Sequence, residues 1–304
     1  MEASLIGLIT GKAGYYSKSY TTERLYGNGQ DLEILSVNLN LLWVLMKNAA
    51  LVLTVILMSF HVTVFAKETL TTKFDNIKNA VVEDHRRFYS CKNLLKLGIG
   101  IGAAGTFATS SADEEIQDWF QKSLKNHNTD KISDIVDPLG DYLMTLPVLC
   151  AVALMGELTI ETKFNTTVGA WAKRSLRAVL VGEPSMYFSQ RALGASRPNE
   201  GDSHWHPFED ENGVSGHSFI AAIPFITAAM MVENPYCKSF LYAGSTLTGL
   251  ARINDNKHYF SHVSLGWWMA YLAARSVQMS EERKAIIVPT AFHDFVGVII
   301  TFNF

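Results

Sequence analysis

Apolar runs of about fifteen residues, each ended by a charge or a proline, recur along the chain and limit its possible folds most strongly. A helix that spans a membrane needs roughly twenty apolar residues, so runs of this length indicate the buried core helices of a globular domain. A membrane enzyme with several short spans is the alternative. Alternation of Val, Ile and Thr at period two is scarce before the last residues. The sequence therefore predicts an all-α fold, with apolar runs at residues 94–108, 142–155, 168–180, 218–232, 240–250 and 263–277.

Composition narrows the classes of partner. The chain has 304 residues, of which 48% are hydrophobic, and its formal net charge at pH 7 is -3. It contains no basic run that would follow a nucleic-acid backbone, so nucleic acid is not a predicted partner. The three cysteines, Cys91, Cys150 and Cys237, are widely spaced and border or lie within apolar stretches. We therefore predict buried thiols, with one disulfide and one free thiol as the alternative, and no metal site among them.

The N-terminal part contains a pattern typical of a secretory signal peptide. Met46 and Lys47 precede an apolar run, and small residues end the segment before Lys67. We predict a signal peptide over residues 46–66, which makes residues 1–45 a non-native or disordered extension upstream of the true start. The alternative is a genuine extension followed by one membrane anchor. Both interpretations predict export to the periplasm or cell envelope, with membrane association under the second.

The rest of the chain is predicted to form a polar linker, a helical domain and a tail with a strand-like end, at residues 67–90, 91–280 and 281–304. The Gly- and Ala-rich run at 94–108 indicates close helix packing, because no strand precedes it as a nucleotide-binding loop requires. Ser111 or Asp113 is predicted to cap the next helix. One solvated basic face is predicted, formed by Lys173, Arg174 and Arg177.

A turn of small residues, Ser215-Gly216-His217, comes directly before the apolar run at 218–232. Backbone N–H groups and a hydroxyl at the start of a helix bind anions, and the helix dipole favours negative charge there. His217 would then lie in the first helical turn, beside the anion. Taken alone, the tripeptide is common and equally fits an ordinary capping or surface histidine.

Basic and histidine residues lie on both sides of this turn. Arg197, which is followed by a proline, offers a planar fork of donors that suits phosphate oxygens. After the turn come Arg252, His258 and His262, and the two histidines share one face if their segment is helical, because they are four residues apart. These groups predict a phosphate pocket with two catalytic histidines.

The order and spacing of these groups resemble the type 2 phosphatidic acid phosphatase and vanadium haloperoxidase superfamily. That superfamily carries three motifs, Lys-x6-Arg-Pro, Pro-Ser-Gly-His and Ser-Arg-x5-His-x3-Asp. The corresponding segments here are Gln190-x6-Arg197-Pro198, Val214-Ser215-Gly216-His217 and Ala251-Arg252-x5-His258-x3-His262. The resemblance covers roughly residues 94–278 and implies a helical bundle of the acid phosphatase and haloperoxidase type, with its active site in the bundle core.

Four positions depart from the superfamily motifs. Val214 and Ala251 are mild changes for proline and serine. Gln190 replaces the lysine and removes a positive charge, although its amide can still donate a hydrogen bond. His262 replaces the aspartate that orients the nucleophilic imidazole, and a neutral imidazole accepts that hydrogen bond without supplying charge. The resemblance therefore implies a weakened enzyme unless another carboxylate takes over, and Asp255 is the nearest candidate in sequence.

The resemblance implies two-step phosphoryl transfer by an exported phosphomonoesterase. His258 is expected to attack phosphorus and form a phosphohistidine, while His217 protonates the leaving oxygen and then activates water. The charge on the equatorial oxygens is expected to be stabilised by the phosphate-binding residues Gln190, Arg197, Ser215, Gly216 and Arg252. The implied substrate is a lipid phosphate or a small organic phosphate, a membrane surface is a further expected partner, and neither a metal nor a cofactor is required.

Three other functions stay open at the level of sequence. A vanadate-dependent haloperoxidase would hold vanadate in the same pocket, although the missing lysine argues against tight binding. An impaired relative would bind phosphorylated ligands without turnover. A metal-dependent hydrolase would join His258 and His262 to His204 and His206, but the glutamate of a His-Glu-x-x-His motif is missing, and a loop rim over the pocket is the preferred interpretation.

Overall fold

The computed structural model describes residues 67–158, 162–282, 286–292 and 295–301. The predicted N-terminal extension and signal peptide, residues 1–66, lie outside the described residues. The helices are α1 Lys67–Phe88, α2 Cys91–Ala108, α3 Ala112–Trp119, α4 His127–Val136, α5 Tyr142–Leu158, α6 Lys163–Leu193, α7 Gly216–Met231, α8 Pro235–Gly244, α9 Leu247–Asn254 and α10 Phe260–Glu282. A π-helical turn, Phe120–Leu124, extends α3, and a 3-10 turn, Asp137–Gly140, follows α4. The predicted all-α fold is confirmed for this helical body.

A β-hairpin follows the helices. Strands β1 Ile286–Phe292 and β2 Phe295–Thr301 pair antiparallel, with Ile286 opposite Thr301 and Phe292 opposite Phe295. The strand-like end predicted for the tail corresponds to β2. Strand β1 was not predicted. It contains Pro289, and a proline argues against a strand in sequence analysis because it has no backbone N–H to donate to a neighbouring strand.

Helices α7 and α10 form the centre of the bundle, and α10 also packs against α1, α2 and α6. The core between them is made of fully buried apolar side chains, among which Phe219 and Ile223 come from α7 and Met269 comes from α10. Gly182 lets α6 approach this pair closely, because a Cβ there would lie 2.9 Å from the ring of Phe219. Burial of such side chains is the main favourable term in the stability of a helical domain.

The Gly- and Ala-rich helix α2 uses two of its glycines for close packing, as predicted. A Cβ on Gly100 would collide with Trp268, and one on Gly105 would lie 3.1 Å from the ring of Trp205. Trp268 also donates its indole N–H to the carbonyl oxygen of Lys96 at 3.0 Å. The glycines of this run therefore admit indole rings against the helix backbone.

The stretch predicted to be a polar linker is, over most of its length, helix α1. Its last turns carry Phe88, which is buried in the main core, and Asp84, whose side chain is fully buried against Arg177 of α6. The polar composition of residues 67–90 conceals this packing, because the contact depends on an ion pair with a helix that lies far along the chain.

The basic cluster of α6 is not the solvated face that was predicted. Arg177 forms two hydrogen bonds with the Asp84 carboxylate, at 2.7 and 2.8 Å, and a third with Glu281 at 2.6 Å. Arg174 lies 3.7 Å from Glu281, and Lys173 pairs with Glu157 of α5. The prediction was wrong because acidic side chains from α1, α5 and α10 face these cations and neutralise them.

The cap predicted for α3 also differs from the structure. Ser111 precedes the helix, but its hydroxyl donates to the Glu115 carboxylate at 2.6 Å and does not cap the backbone. Asp113 is buried, and its carboxylate accepts a hydrogen bond from the backbone N–H of Ser261 at 2.9 Å. Asp113 therefore satisfies an N–H group in the first turn of α10, a helix distant in sequence.

The cysteines are less buried than predicted. Cys91 and Cys237 are exposed and Cys150 is partly buried, and all three are free thiols. The buried-thiol prediction is therefore wrong for the two exposed residues. Cys91 begins α2 and Cys237 lies in the first turn of α8, at helix ends that face solvent.

None of the helices in the described part of the chain is, by itself, long and apolar enough to cross a membrane. One pair of consecutive helical segments, His127–Gly140 and Tyr142–Leu158, has together the length and apolar composition of a membrane span, but the two segments are bent by 61° relative to each other. Helix α7 is apolar but shorter.

Candidate active site

The start of α7 is fixed against α10. Ser215 is the N-cap of α7, and its hydroxyl accepts a hydrogen bond from the Ser218 N–H at 3.3 Å. The Ser215 N–H donates to the carbonyl oxygen of His262 at 3.0 Å. Gly266 permits this approach, since a Cβ there would lie 2.5 Å from the Ser215 carbonyl oxygen. The predicted anion-binding turn is therefore held rigidly beside the segment that carries the second histidine pair.

Gln190 lies near the end of α6 and supports the same turn. Its side-chain amide donates to the carbonyl oxygen of Val214 at 3.0 Å, and its Nε2 would lie 3.3 Å from a Cβ on Gly216. The helix ends at Gly194, which adopts the left-handed conformation with φ 52 that favours glycine. Gln190 is thus brought to this turn, and its amide holds the backbone just before Ser215.

Arg197 lies in the loop between α6 and α7 and is partly exposed. Its Nε donates to the side-chain oxygen of Asn212 at 3.0 Å, and its Nη1 lies 4.0 Å from a carboxylate oxygen of Glu200. This hydrogen bond to Asn212 fixes one edge of the guanidinium. The other edge carries the pair of donors that suits two oxygens of a phosphate.

Arg252 lies in the last turn of α9 and is almost completely buried. Its Nη1 donates to the Asp137 carboxylate at 2.7 Å, whereas its Nε is buried without a partner among the described residues. Asp137 is a residue that sequence reasoning missed. The pair is separated by 115 positions, and the only local signal is the Asp-Pro step that ends α4.

His217 lies in the first turn of α7 and is half-buried. Charged side chains from several segments act on its imidazole. Burial lowers the pKa of its imidazole, and the positive charges of Arg252 and Arg197 lower it further, while Asp137 and Asp141 oppose them. Because both arginines act on this ring, the loop after α6 and the end of α9 converge on the start of α7.

His258 follows a turn at the end of α9 and is buried, with 5% of its surface exposed. Its backbone N–H donates to the Arg252 carbonyl oxygen at 3.3 Å, which ties the two motif residues together. Its Nδ1 is buried and has no hydrogen-bond partner in the part of the chain that the structure describes. Burial depresses the pKa of His258 well below its usual value, and the neighbouring groups His262, Arg252, Arg197 and His217 lower it further.

His262 lies in the first turn of α10 and is fully buried. Its ring meets that of His258 edge to face, with centroids 5.7 Å apart and an interplanar angle of 78°, and it packs similarly against Tyr259. Neither of its ring nitrogens has a partner among the described residues, and burial lowers its pKa to about 3. His262 therefore lies where the superfamily aspartate is expected, as a neutral ring that makes no hydrogen bond to His258.

Asp255 does not supply the missing carboxylate in this arrangement. One oxygen accepts a hydrogen bond from the Ser133 hydroxyl at 2.7 Å, and the other accepts from the Asn254 amide at 3.1 Å. These contacts hold the end of α9 on α4. The side chain is thereby committed to a position away from the Nδ1 of His258.

The two histidines upstream of α7 lie on an exposed loop. His204 and His206 come within 3.5 and 3.4 Å of the Asp202 carboxylate, and both are exposed. Among the described residues, no three His, Cys, Asp or Glu side chains lie close enough together to hold a metal ion. The indole of Trp205 between them packs on α2 and anchors the loop.

The structure therefore brings the predicted site residues together at one end of the α7–α10 pair. The N-terminus of a helix, two guanidinium groups and two imidazoles converge there, which is the composition of a pocket for a phosphate-like anion. The fold and this arrangement define the class as an all-α bundle with a candidate anion site at the ends of its core helices.

A family model described as PAP2 superfamily matches residues 176–284, a range that contains all three motif segments. The match confirms the resemblance to the type 2 phosphatidic acid phosphatase superfamily, whose members are generally phosphatases that bind phosphorylated substrates. Comparisons with curated proteins and with solved structures give no match.

Proposed function

We propose that the chain is a phosphomonoesterase that works through a phosphohistidine. The observation that carries the proposal is the set of hydrogen bonds that joins the three motif segments. Gln190 donates to the Val214 carbonyl oxygen at 3.0 Å, and the Ser215 N–H donates to the His262 carbonyl oxygen at 3.0 Å. The electrostatic effect of Arg197 and Arg252 on both His217 and His258 supports the same grouping. Two cations beside two neutral imidazoles can hold a phosphoryl group while one imidazole attacks it and the other handles protons.

His258 is the nucleophile in this proposal. Because its Nδ1 is enclosed by protein, the attacking nitrogen is Nε2. The depressed pKa keeps the ring neutral near pH 7, so its lone pair is available. Attack forms a P–N bond and breaks the ester P–O bond, and the alcohol leaves. Water then attacks phosphorus, which breaks the P–N bond and releases inorganic phosphate.

His217 is the general acid and then the general base. In the empty pocket its pKa is lowered by burial and by the two arginines, so the ring is mostly neutral near pH 7. A bound phosphate partly cancels the arginine charges and adds negative charge, which favours the protonated imidazolium. Substrate binding therefore loads His217 with the proton that the leaving oxygen requires.

The remaining polar groups stabilise charge on the equatorial oxygens. Arg252 contributes its positive charge beside the two histidines, and Arg197 offers the edge that faces away from Asn212. The Gly216 N–H lies at the positive end of α7, and Ser215 and Gln190 add a hydroxyl and an amide. No cofactor or metal takes part in this scheme.

The substrate belongs to the same proposal and is a lipid phosphate or a small organic phosphate. Leu139, within the turn that contacts His217, and Leu143, just after that turn, are exposed at 40% and 69%. Exposed apolar side chains near the site suit an acyl chain or a membrane surface. The apolar segment at residues 46–66 supports export to the cell envelope.

A second candidate is binding of phosphorylated ligands without turnover. It is favoured by the Nδ1 of His258, which has no acceptor among the described residues to stabilise a positive ring. In serine proteases, loss of the orienting carboxylate lowers the rate about ten-thousandfold. A comparable loss here would leave a pocket that binds and barely reacts.

Hydrolysis of an aryl phosphate by the full chain, with and without EDTA, tests the proposal. We expect turnover that resists EDTA and falls about a thousandfold in both His217→Ala and His258→Ala. His204→Ala, on the exposed loop, is the matched control and is expected to keep the native rate. Full activity in both catalytic variants would refute the proposal. Loss of activity with EDTA would favour a metal hydrolase. Phosphate binding without turnover would favour the second candidate.

A further inference from the structure

A carboxylate occupies part of the phosphate pocket. The Asp137 carboxylate lies 2.7 Å from Nη1 of Arg252, and the two side chains are 32% and 11% exposed. Arg252 is one of the two cations available to a phosphate in this site. One nitrogen of its guanidinium group is therefore already directed at a negative charge that belongs to the protein.

The 3-10 turn that begins with Asp137 also contacts the general acid. A Cβ on Gly140 would lie 2.7 Å from Cβ of His217, so backbone and imidazole are in direct contact there. Asp137 acts electrostatically on the same ring and raises its pKa. The carboxylate thus faces both the guanidinium and the imidazole, and it forms part of the pocket wall.

The charge of the pocket is consequently small. The cations are Arg197 and Arg252, the closest anion is Asp137, and Gln190 is neutral where the superfamily motif has lysine. Asp141 adds a second negative charge within range of His217. In the empty pocket the three histidines are largely neutral near pH 7 because burial lowers their pKa values. The two arginine charges are thus offset by the two carboxylates, and a pocket with so little net positive charge favours a ligand with one negative charge over a ligand with two.

We propose that the pocket selects a phosphate monoester in its singly protonated, monoanionic form, and that Asp137 is the residue that imposes this selection. The proposal rests on the proposed function only in assigning the site to phosphate. The extra proton of a monoanion can also donate a hydrogen bond to the Asp137 carboxylate, whereas a dianion meets the same carboxylate with a second negative charge.

Several charged or titratable groups lie in this region and must be separated from the effect of Asp137. Arg252 of α9 pairs with Asp137, and Asp137 raises the pKa of His217 of α7. Arg197 and Asp141 act on the same His217 ring, and His258 lies against His262 of α10. Phosphate loses its second proton at about pH 6 to 7, a range in which histidines titrate but arginines and ordinary carboxylates do not. Because Asp137 raises the pKa of His217, Asp137→Asn also alters the titration of that histidine. Sulfate, whose charge does not change over this pH range, measures the histidine contribution separately in each protein.

Inorganic phosphate binding to the full chain, measured by calorimetry at pH 6.0 and pH 8.5, tests the proposal. For the native chain we expect affinity roughly tenfold lower at pH 8.5, where the ligand is a dianion. In Asp137→Asn most of this difference should disappear, because affinity for the dianion rises. Asp134→Asn removes the same charge from an exposed position of α4 and should behave as the native chain. Asp137→Ser serves as the second variant if Asp137→Asn does not fold.

Sulfate is a second probe that needs no variant, because it is a dianion over the whole range. We expect the native chain to bind sulfate about tenfold more weakly than phosphate at pH 6.0, with the two affinities converging at pH 8.5. Equal affinities at pH 6.0, or a pH dependence of phosphate binding that Asp137→Asn leaves unchanged, would overturn the proposal.

The outcomes also separate this proposal from the proposed function. Monoanion selection in a chain without turnover would support the proposal while the phosphatase assignment fails. Turnover by a chain that prefers the dianion would overturn the proposal and leave the phosphatase assignment standing. Absence of phosphate binding at both pH values would overturn both.

Discussion

His258 and His262 face each other edge to face, with ring centroids 5.7 Å apart, and no hydrogen bond links them. The nucleophilic ring therefore has an enclosed Nδ1 without an acceptor among the described residues. An imidazole that attacks phosphorus becomes positively charged, and a carboxylate at that nitrogen would stabilise the charge. The arrangement makes His262 the residue that most limits the proposed reaction.

Replacing His262 by aspartate should raise the turnover of an aryl phosphate roughly tenfold or more. The new carboxylate would accept a hydrogen bond from Nδ1 of His258 and stabilise the positively charged ring. Steady-state kinetics of His262→Asp measure this. His262→Asn is the control, because asparagine has nearly the same size as aspartate but carries no charge. This variant should show no gain in turnover. An equal rise in both variants would mean that the change comes from space and not from charge.

Gly140 lies against His217, the proposed general acid. An alanine there would place Cβ 2.9 Å from Cα of His217, so the turn or the helix start must shift. Because a displacement of about 1 Å in an active site can lower the rate about a hundredfold, we expect kcat/KM of Gly140→Ala to fall at least tenfold.

Gly102→Ala is the matched control, since a Cβ on this glycine of α2 would meet nothing within 4 Å. That variant should keep native kinetics and gain about 0.5–1 kcal/mol of stability. Native kinetics in Gly140→Ala would contradict the predicted contact.

Prediction from the sequence works best for the class of fold and for the motif residues. The lengths of the apolar runs identify the helical bundle, and the spacing of Arg197, His217, Arg252 and His258 identifies the pocket. Asp137 escapes this reasoning, since it belongs to no motif and meets Arg252 across 115 positions. Contacts of this kind depend on how helices pack, which local spacing does not encode.

Helix α1 illustrates the same limit for the fold. Its composition is polar, and the sequence predicts a linker, yet Asp84 and Arg177 pair across 93 positions inside the bundle. A charged residue in a polar stretch is interpreted as solvent-exposed unless its buried partner is known.

The apolar run predicted at 240–250 is divided between α8 and α9 in the structure. The division lies at Ser245 and Thr246, between the two helices.

The Arg177 ion-pair network should be a major contribution to stability. Arg177→Ala leaves the fully buried carboxylate of Asp84 without its partner, so we expect a loss of about 3–5 kcal/mol in the free energy of unfolding. Lys173→Ala is the control in the same helix. Lys173 pairs with Glu157 at 42% exposure, so about 1 kcal/mol or less should be lost. Urea titrations of both variants measure the difference, and equal losses would contradict it.

His262 should also make stability depend on pH. The unfolded chain binds a proton at an ordinary histidine near pH 6.5, whereas in the folded chain burial lowers the pKa of His262 to about 3. Between these values the unfolded state binds more protons, so stability falls as pH decreases from 6.5 towards 3. From pH 7 to pH 4.5 this residue should account for about 2–3 kcal/mol. His262→Asn should lose that part of the pH dependence, and an unchanged slope would show that His262 is not buried as a neutral ring.

The covalent intermediate tests the central claim most directly. The His217→Ala chain, mixed with an aryl phosphate and analysed as the intact protein without acid exposure, should gain one phosphoryl group on His258, because the phosphohistidine forms slowly and its hydrolysis lacks the general base. His258→Ala should gain none. A phosphoryl group on another residue, or turnover by the native chain while His258→Ala retains the native rate, would contradict the assignment of His258 as the nucleophile.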